Sequence, residues 1–254
     1  MCKVLTIKNL TQTKLILFVS TFLILFYNYT FFNEVTNVYK FNGINILYTT
    51  SLVILIIALM NFLFTLFSSK YTTKAILILI ILISSFTTYF MNTYHIVIDD
   101  SMIRNTLQTN IKESIDLFSL QLIIYVFFLG LLPSFVIYKI PLKYSSFKQE
   151  LFNKIKSIIL SLIIIVLIIF TFSKFYTSFL REHKPLRYYV NPTYWIYSIS
   201  KYLNLTYNHE KKEIKIIGLD AKVVEEDQDE HKELVILVVG EAARADHFSL
   251  NGYS

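Results

Sequence analysis

The chain has 254 residues and is 54% hydrophobic, with a mean hydropathy of +0.52. Its apolar residues fall in long runs, which excludes an ordinary soluble domain and points to membrane spans. The net charge of +6 sits in short Lys-bearing loops beside those runs, a pattern of bilayer anchoring rather than a nucleic-acid footprint. The single cysteine, Cys2, forms no disulfide within this sequence and gives no metal or catalytic signal.

Five segments reach or approach the ~20 apolar residues that a crossing helix needs: residues 15–32, 46–67, 75–91, 117–138 and 158–175. Helix is the reading for each, because a lone strand would leave its backbone unsatisfied in lipid. The first run lacks a small-residue cleavage site and ends in Tyr-Asn-Tyr-Thr-Phe-Phe, so it reads as a retained span and not a signal peptide. Loop charges set the topology. Lys3, Lys8 and Lys14 precede the first span; Lys70 and Lys74 follow the second; Lys139, Lys143, Lys148, Lys154 and Lys156 follow the fourth. The alternate loops are poorer in Lys and Arg. The N-terminus is therefore expected to be cytoplasmic, and an odd number of spans places everything after Phe175 outside.

The loop between the third and fourth spans predicts a helix over about residues 100–116, capped by Asp100 or Ser101. Ile103, Leu107, Ile111 and Ile115 recur every four residues and form an apolar stripe that would dock on the bundle or the membrane surface. Asn105, Thr109 and Glu113 recur with the same step on roughly the opposite face. An amide, a hydroxyl and a carboxylate in a row suit an ammonium and phosphate head group; an amphipathic helix with a solvated polar face is the alternative.

After the fifth span, residues 181–209 mix Arg, Lys, His and aromatic side chains, as in the head-group layer, and read as an interfacial connector. His183 and His209 have no second ligand at a useful spacing and read as surface or interfacial residues. Residues 210–233, with the run Glu225-Glu226-Asp227-Gln228-Asp229-Glu230, form a charged linker. The expected division is thus a five-span domain at 1–180, the connector, the linker, and the start of an outer domain at 234–254.

That last segment opens with Leu234-Val235-Ile236-Leu237-Val238-Val239-Gly240-Glu241. A six-residue apolar run, a Gly and a carboxylate is how a buried parallel strand delivers a ligand to the edge of an α/β sheet. Glu241 there can bind a divalent ion, or can cap a helix or pair with a cation.

The wording Val238-Val239-Gly240-Glu241-Ala242-Ala243-Arg244-Ala245-Asp246-His247-Phe248-Ser249-Leu250-Asn251-Gly252-Tyr253 closely resembles the opening motif of the lipid A phosphoethanolamine transferases. The resemblance extends to the span count, the orientation, the segment 102–113 and the connector 180–192. It implies a mainly α integral membrane fold: a five-helix inner-membrane bundle with periplasmic amphipathic and interfacial helices, followed by the first strand of a periplasmic sulfatase-like α/β zinc domain. It also implies a reaction. A zinc-activated Thr attacks phosphatidylethanolamine, releases diacylglycerol and passes phosphoethanolamine to lipid A or the lipopolysaccharide core, with zinc acting as a Lewis acid. By this resemblance Glu241 matches the first zinc ligand, and Asn105, Thr109 and Glu113 match positions lining the phosphoethanolamine site.

Ala242 stands where the family usually has Thr, a position that is not the nucleophile. In family members the nucleophilic Thr, the remaining zinc ligands and the outer-domain disulfides lie beyond the position of Ser254. Residues 1–254 alone are therefore expected not to catalyse the transfer. The competing readings are a non-catalytic membrane remnant or interaction protein, and a related phosphoglycerol transferase, against which the wording from Gly240 to Tyr253 argues.

Overall fold

In a computed structural model, residues 10–110, 112, 115, 117–207 and 236 are described. The chain divides into two units, Met1–His209 and Glu210–Ser254. The expected strand at 234–239 and Glu241 belong to the second unit and, Ile236 apart, lie outside the described residues.

The first unit begins with α1 (Gln12–Tyr27) and α2 (Tyr29–Val38). The first expected span is not one helix: the pair bends by 62° at Asn28. At ~1.5 Å per residue, the 16 residues of α1 reach roughly 24 Å, short of a hydrocarbon core of about 30 Å. Next come α3 (Ile44–Phe67) and α4 (Thr73–Tyr94), two long apolar helices. The short α5 (Asp100–Gln108) follows. The fourth long run forms α6 (Leu120–Lys139), interrupted by a π-helical turn at Val126–Leu131. The last spanning helix is α7 (Phe147–Thr171), followed by α8 (Ser173–Glu182), a 3-10 helix (Lys184–Tyr189) and α9 (Thr193–Tyr207). Among the described residues, α3, α4, α6 and α7 are long and apolar enough to cross a membrane, and the bent α1–α2 pair makes a fifth span if it is one.

The fifth expected span starts earlier and stops sooner than residues 158–175. Lys148, Lys154 and Lys156, expected in a loop, lie on the first turns of α7. Glu150 in its first turn complements the positive end of the helix dipole and accepts the Ser145 N–H at 2.9 Å. The long Lys stems let charged heads leave the apolar layer while the backbone stays helical.

α1 sits centrally: Leu15, Ile16, Val19, Leu23 and Ile24 are buried, and the helix meets α3, α4 and α7. The outward faces stay apolar, as in Val166 and Phe170 on α7, because lipid and not water is the surrounding solvent. Lacking a hydrophobic drive, helices in lipid associate through small residues and polar pairs. On α7 only Ser157 and Ser161 are buried, and Asn61 Nδ2 of α3 donates to both hydroxyls, at 3.1 and 2.8 Å. In α6, Pro133 has no N–H for the carbonyl four residues back. That carbonyl, of Leu129, accepts the Tyr27 hydroxyl of α1 instead.

Gly130 in the π-turn lets α6 approach α4 closely. A Cβ there would lie 2.7 Å from Ser85 Oγ, a hydroxyl that donates to the Leu82 carbonyl at 2.7 Å inside a fully buried residue. Gly130→Ala is therefore expected to destabilise the bundle by about 1–3 kcal/mol, the usual range for overpacking. Unfolding titrations in mixed micelles would measure it, and an unchanged midpoint would contradict the close approach.

The lysine-bearing segments come together at one end. Lys143 N–H donates to the Leu10 carbonyl at 3.1 Å, and Gln12 Nε2 donates to Thr73 Oγ1 at 2.7 Å. Two lysines satisfy the open carbonyls of neighbouring helix ends, where the dipole also favours a cation. Lys74 Nζ reaches Tyr138 and Ile140 O at the end of α6, at 2.9 and 2.7 Å. Lys154 Nζ reaches Leu66 and Ser68 O at the end of α3, at 3.0 Å each.

Candidate functional site

At the opposite end from the lysines, α5 is placed by a chain of polar contacts that starts deep in the bundle. Asn28, at the break between α1 and α2, and Asn191, just before α9, are both 1% exposed. They pair reciprocally: the Asn191 N–H donates to Asn28 Oδ1 at 2.9 Å, and Asn28 Nδ2 donates to the Asn191 carbonyl at 2.7 Å. The Asn28 amide also donates to the Leu23 carbonyl near the end of α1, at 3.0 Å. The Asn191 side chain in turn donates to Thr87 Oγ1 at 2.8 Å, Thr88 Oγ1 at 2.9 Å and the Ser84 carbonyl at 3.1 Å, all on α4. Its Oδ1 accepts the Trp195 indole N–H at 3.2 Å. Buried polar groups are tolerated when satisfied in this way.

This hub fixes the start of α9, whose Trp195 and Ser198 are buried. Further along α9, Lys201 Nζ donates to Asp100 Oδ1 of α5 at 2.7 Å. α5 is capped by Asp99, one residue before the expected caps: its Oδ1 accepts the Met102 N–H at 2.8 Å and the Ser101 hydroxyl at 2.7 Å. Asp100, freed from capping, is the residue that holds Lys201.

The Lys201 hydrogen bond holds the Asp100 carboxyl below its ordinary 3.8 and the Lys201 ammonium above its ordinary 10.5. A lowered acid contributes its stabilisation above its unfolded-state value and loses it as pH falls through the lowered one. A raised base keeps its contribution until pH rises through the raised value. The contact between α5 and α9 should therefore not respond to pH between about 5 and about 9. Amide exchange along α5 checks this, and a transition near neutrality would contradict the pairing. Both side chains retain solvent contact, so the pair orients α5 more than it stabilises the fold.

The polar row expected on one continuous helix is interrupted. α5 ends at Gln108, and Thr109 takes an extended conformation with φ −63° and ψ 135°. Both its N–H, at 2.8 Å, and its hydroxyl, at 2.6 Å, turn back onto the Asn105 carbonyl. The N–H bond is the ordinary helical one, and the chain leaves the helix through the extended ψ of Thr109. Asn105 and Thr109 are thus adjacent, with the Asn105 side chain exposed and Thr109 half-buried. Glu113, like Glu241, lies outside the described residues. Of the apolar stripe, Ile103 is half-buried, whereas Leu107 and Ile115 are 66% and 61% exposed and not covered by the bundle. His183 packs edge-on against Tyr39, with ring centres 5.5 Å apart, and His209 lies outside the described residues.

Among the described residues no three of His, Cys, Asp or Glu come together in a way that could hold a metal. Sequence reasoning passed over the Asn28–Asn191 hub. Its signal was present as polar residues inside apolar runs, Asn28 in the first and Ser84, Thr87 and Thr88 in the third.

A family profile described as phosphoethanolamine transferase EptA/EptB matches residues 56–207, a stretch that contains α5, α9 and the connector as far as residue 207. The chain belongs to that family. The phosphatidylethanolamine transferase Mcr-1 of Escherichia coli is 36% identical over 249 residues, covering 97% of this chain and 46% of the relative. The phosphoethanolamine transferase EptA of E. coli K12 is 31% identical over 233 residues, covering 89% and 42%. The integral membrane lipooligosaccharide phosphoethanolamine transferase A (EptA) of Neisseria meningitidis has a similar fold, with a TM-score of 0.82 and 28% identity over 97% of this chain and 46% of that one. The chain thus spans about half the length of the curated relatives it matches. With its crossing helices and this likeness to an integral membrane protein, it is a multi-pass membrane chain.

Proposed function

We propose that this chain is the membrane part of an enzyme that moves phosphoethanolamine from phosphatidylethanolamine to lipid A or the lipopolysaccharide core. The observation that carries the reading is family membership across a stretch that includes α5 and its clamp from α9. The chain is oriented with its lysine-rich end in the cytoplasm, by the excess of Lys in those loops, and α5 on the periplasmic side of the inner membrane. There Asn105, Thr109 and Glu113 border the donor head group: the carboxylate meets the ammonium, and the amide and hydroxyl meet phosphate oxygens.

In the proposed reaction a Thr hydroxyl of an outer domain, at a position past residue 254, attacks the phosphorus of the donor. The bond from phosphorus to the diacylglycerol oxygen breaks, and diacylglycerol leaves with the proton. An acceptor oxygen of lipid A or the core then attacks the same phosphorus and the Thr hydroxyl is regenerated. Zinc enters this proposal through Glu241. A zinc site needs about four ligands, so the residues of this sequence do not fit the ion by themselves. Residues 1–254 alone are proposed to be inactive.

Mass spectrometry of lipid A from cells carrying the gene should show a phosphoethanolamine adduct that disappears when the gene is disrupted. Identical lipid A and core in the two strains would defeat the proposal. Purified residues 1–254 incubated with labelled phosphatidylethanolamine and lipid A should transfer no label, and measurable transfer would refute the inactivity of this portion.

A further inference from the structure

The lysine-rich end holds a cleft of about 570 Å³, bounded by the start of α1, the end of α3, the 143–145 segment and the first turns of α7. Three lysines line it, Lys70, Lys143 and Lys154, against one carboxylate, Glu150. The roles of these charges differ. Lys154 is committed to the carbonyls ending α3, and Glu150 accepts the Ser145 N–H. Lys70 lies over the rings of Tyr71 and Tyr144, at 5.7 and 5.5 Å, a contact that leaves its N–H donors available for an anion. The Lys143 ammonium has no partner among the described residues, although its backbone is tied to Leu10.

A second, independent feature is a buried donor. Thr65 lines the cleft, is 1% exposed, and its hydroxyl has no hydrogen-bond partner among the described residues. Of the buried polar atoms without a partner among the described residues, it is the one that lines the cleft, and an occupant there can satisfy it. The wall also continues into lipid. Phe147 and Leu151 line the cleft and are exposed at the start of a spanning helix, so an occupant can keep apolar chains beside α7 while its charge sits among the lysines.

We propose that this cleft binds the phosphodiester head group of an anionic phospholipid from the leaflet at the lysine-rich end. Basic pockets between spanning helices take such head groups. The apolar wall at Phe147 and Leu151 favours a lipid over free phosphate. This site is at the other end of the bundle from α5 and does not depend on the transfer chemistry.

The test is native mass spectrometry of the purified chain in neutral detergent with phosphatidylglycerol, with phosphatidylcholine, and with inorganic phosphate. The chain should retain phosphatidylglycerol in preference to phosphatidylcholine. Lys70→Gln and Lys143→Gln should each weaken retention by roughly fivefold and together by roughly 25-fold, whereas Lys112→Gln should not change it. Neither lysine caps a helix in this fold, and unchanged helical circular dichroism confirms that the variants are folded; Lys143→Arg should restore binding. Equal retention of the two lipids, equal retention by the double variant, or binding of inorganic phosphate without any lipid adduct would each overturn the proposal.

Discussion

Asn28→Ala should lower the stability of the bundle by about 2–6 kcal/mol, counting roughly 1–3 kcal/mol for each of two buried groups left unsatisfied. The substitution removes the acceptor for the Asn191 N–H and the donor to the Asn191 carbonyl, and the residue lies where water cannot replace them. Hydrogen bonds between side chains of membrane helices average only ~0.6 kcal/mol, because the unfolded chain in lipid finds other partners. The larger figure applies here because the groups orphaned are backbone atoms of a turn that opens α9. Asn28→Asp keeps the acceptor but loses the donor and adds a charge, so it should be at least as damaging. Thr21→Ala, which removes an exposed hydroxyl bonded to its own helix, should stay within about 0.5 kcal/mol. Detergent-induced unfolding followed by circular dichroism ranks the three, and an Asn28→Ala midpoint equal to that of Thr21→Ala would show that the hub does not hold the fold.

The same residue marks the limit of what the sequence reveals. Hydropathy and loop charge are local, and they suffice for α3, α4, α6 and for gathering Lys74, Lys143 and Lys154 at one end. The bend at Asn28 is not local, because it answers to Asn191, 163 residues away in the chain. A composition window over residues 15–32 averages Asn28 into one apolar run and does not register it as a break. At α7 the charged residues of the first turns hid the helix start, since Lys148 and Lys154 look like loop until Lys154 is seen capping α3. In α5 the four-residue period runs on through Thr109, but the backbone leaves the helix there at φ −63° and ψ 135°, and Leu107 of the expected docking stripe is exposed. Periodicity records which face a residue would occupy, not where the backbone stops being helical. What positioned Asn105 was equally out of sight: the clamp from Lys201 to Asp100 joins segments 101 residues apart.

Glu113→Gln should reduce phosphoethanolamine transfer by the whole enzyme by roughly 10- to 100-fold, if a carboxylate at this position meets the donor ammonium. A hydrogen bond to a charged group is worth about 1.5–3 kcal/mol, and about 1.4 kcal/mol is a factor of ten in rate. Gln keeps the size and one acceptor, so the change isolates the charge. Asn105→Ala removes a neutral partner, worth about 0.5–1.5 kcal/mol, and should reduce transfer only severalfold. Thr106→Ala is the control, because that exposed hydroxyl is already used by the Met102 carbonyl and should leave the rate unchanged. Transfer to lipid A read by mass spectrometry orders the three variants. The order Glu113, Asn105, Thr106 separates a head-group site from a solvated helix face: on a solvated face all three would behave like Thr106. A joint effect of Asn105 and Glu113 is expected if both contact the same ligand. A double variant that loses much less than the product of the two single losses would then report that shared contact.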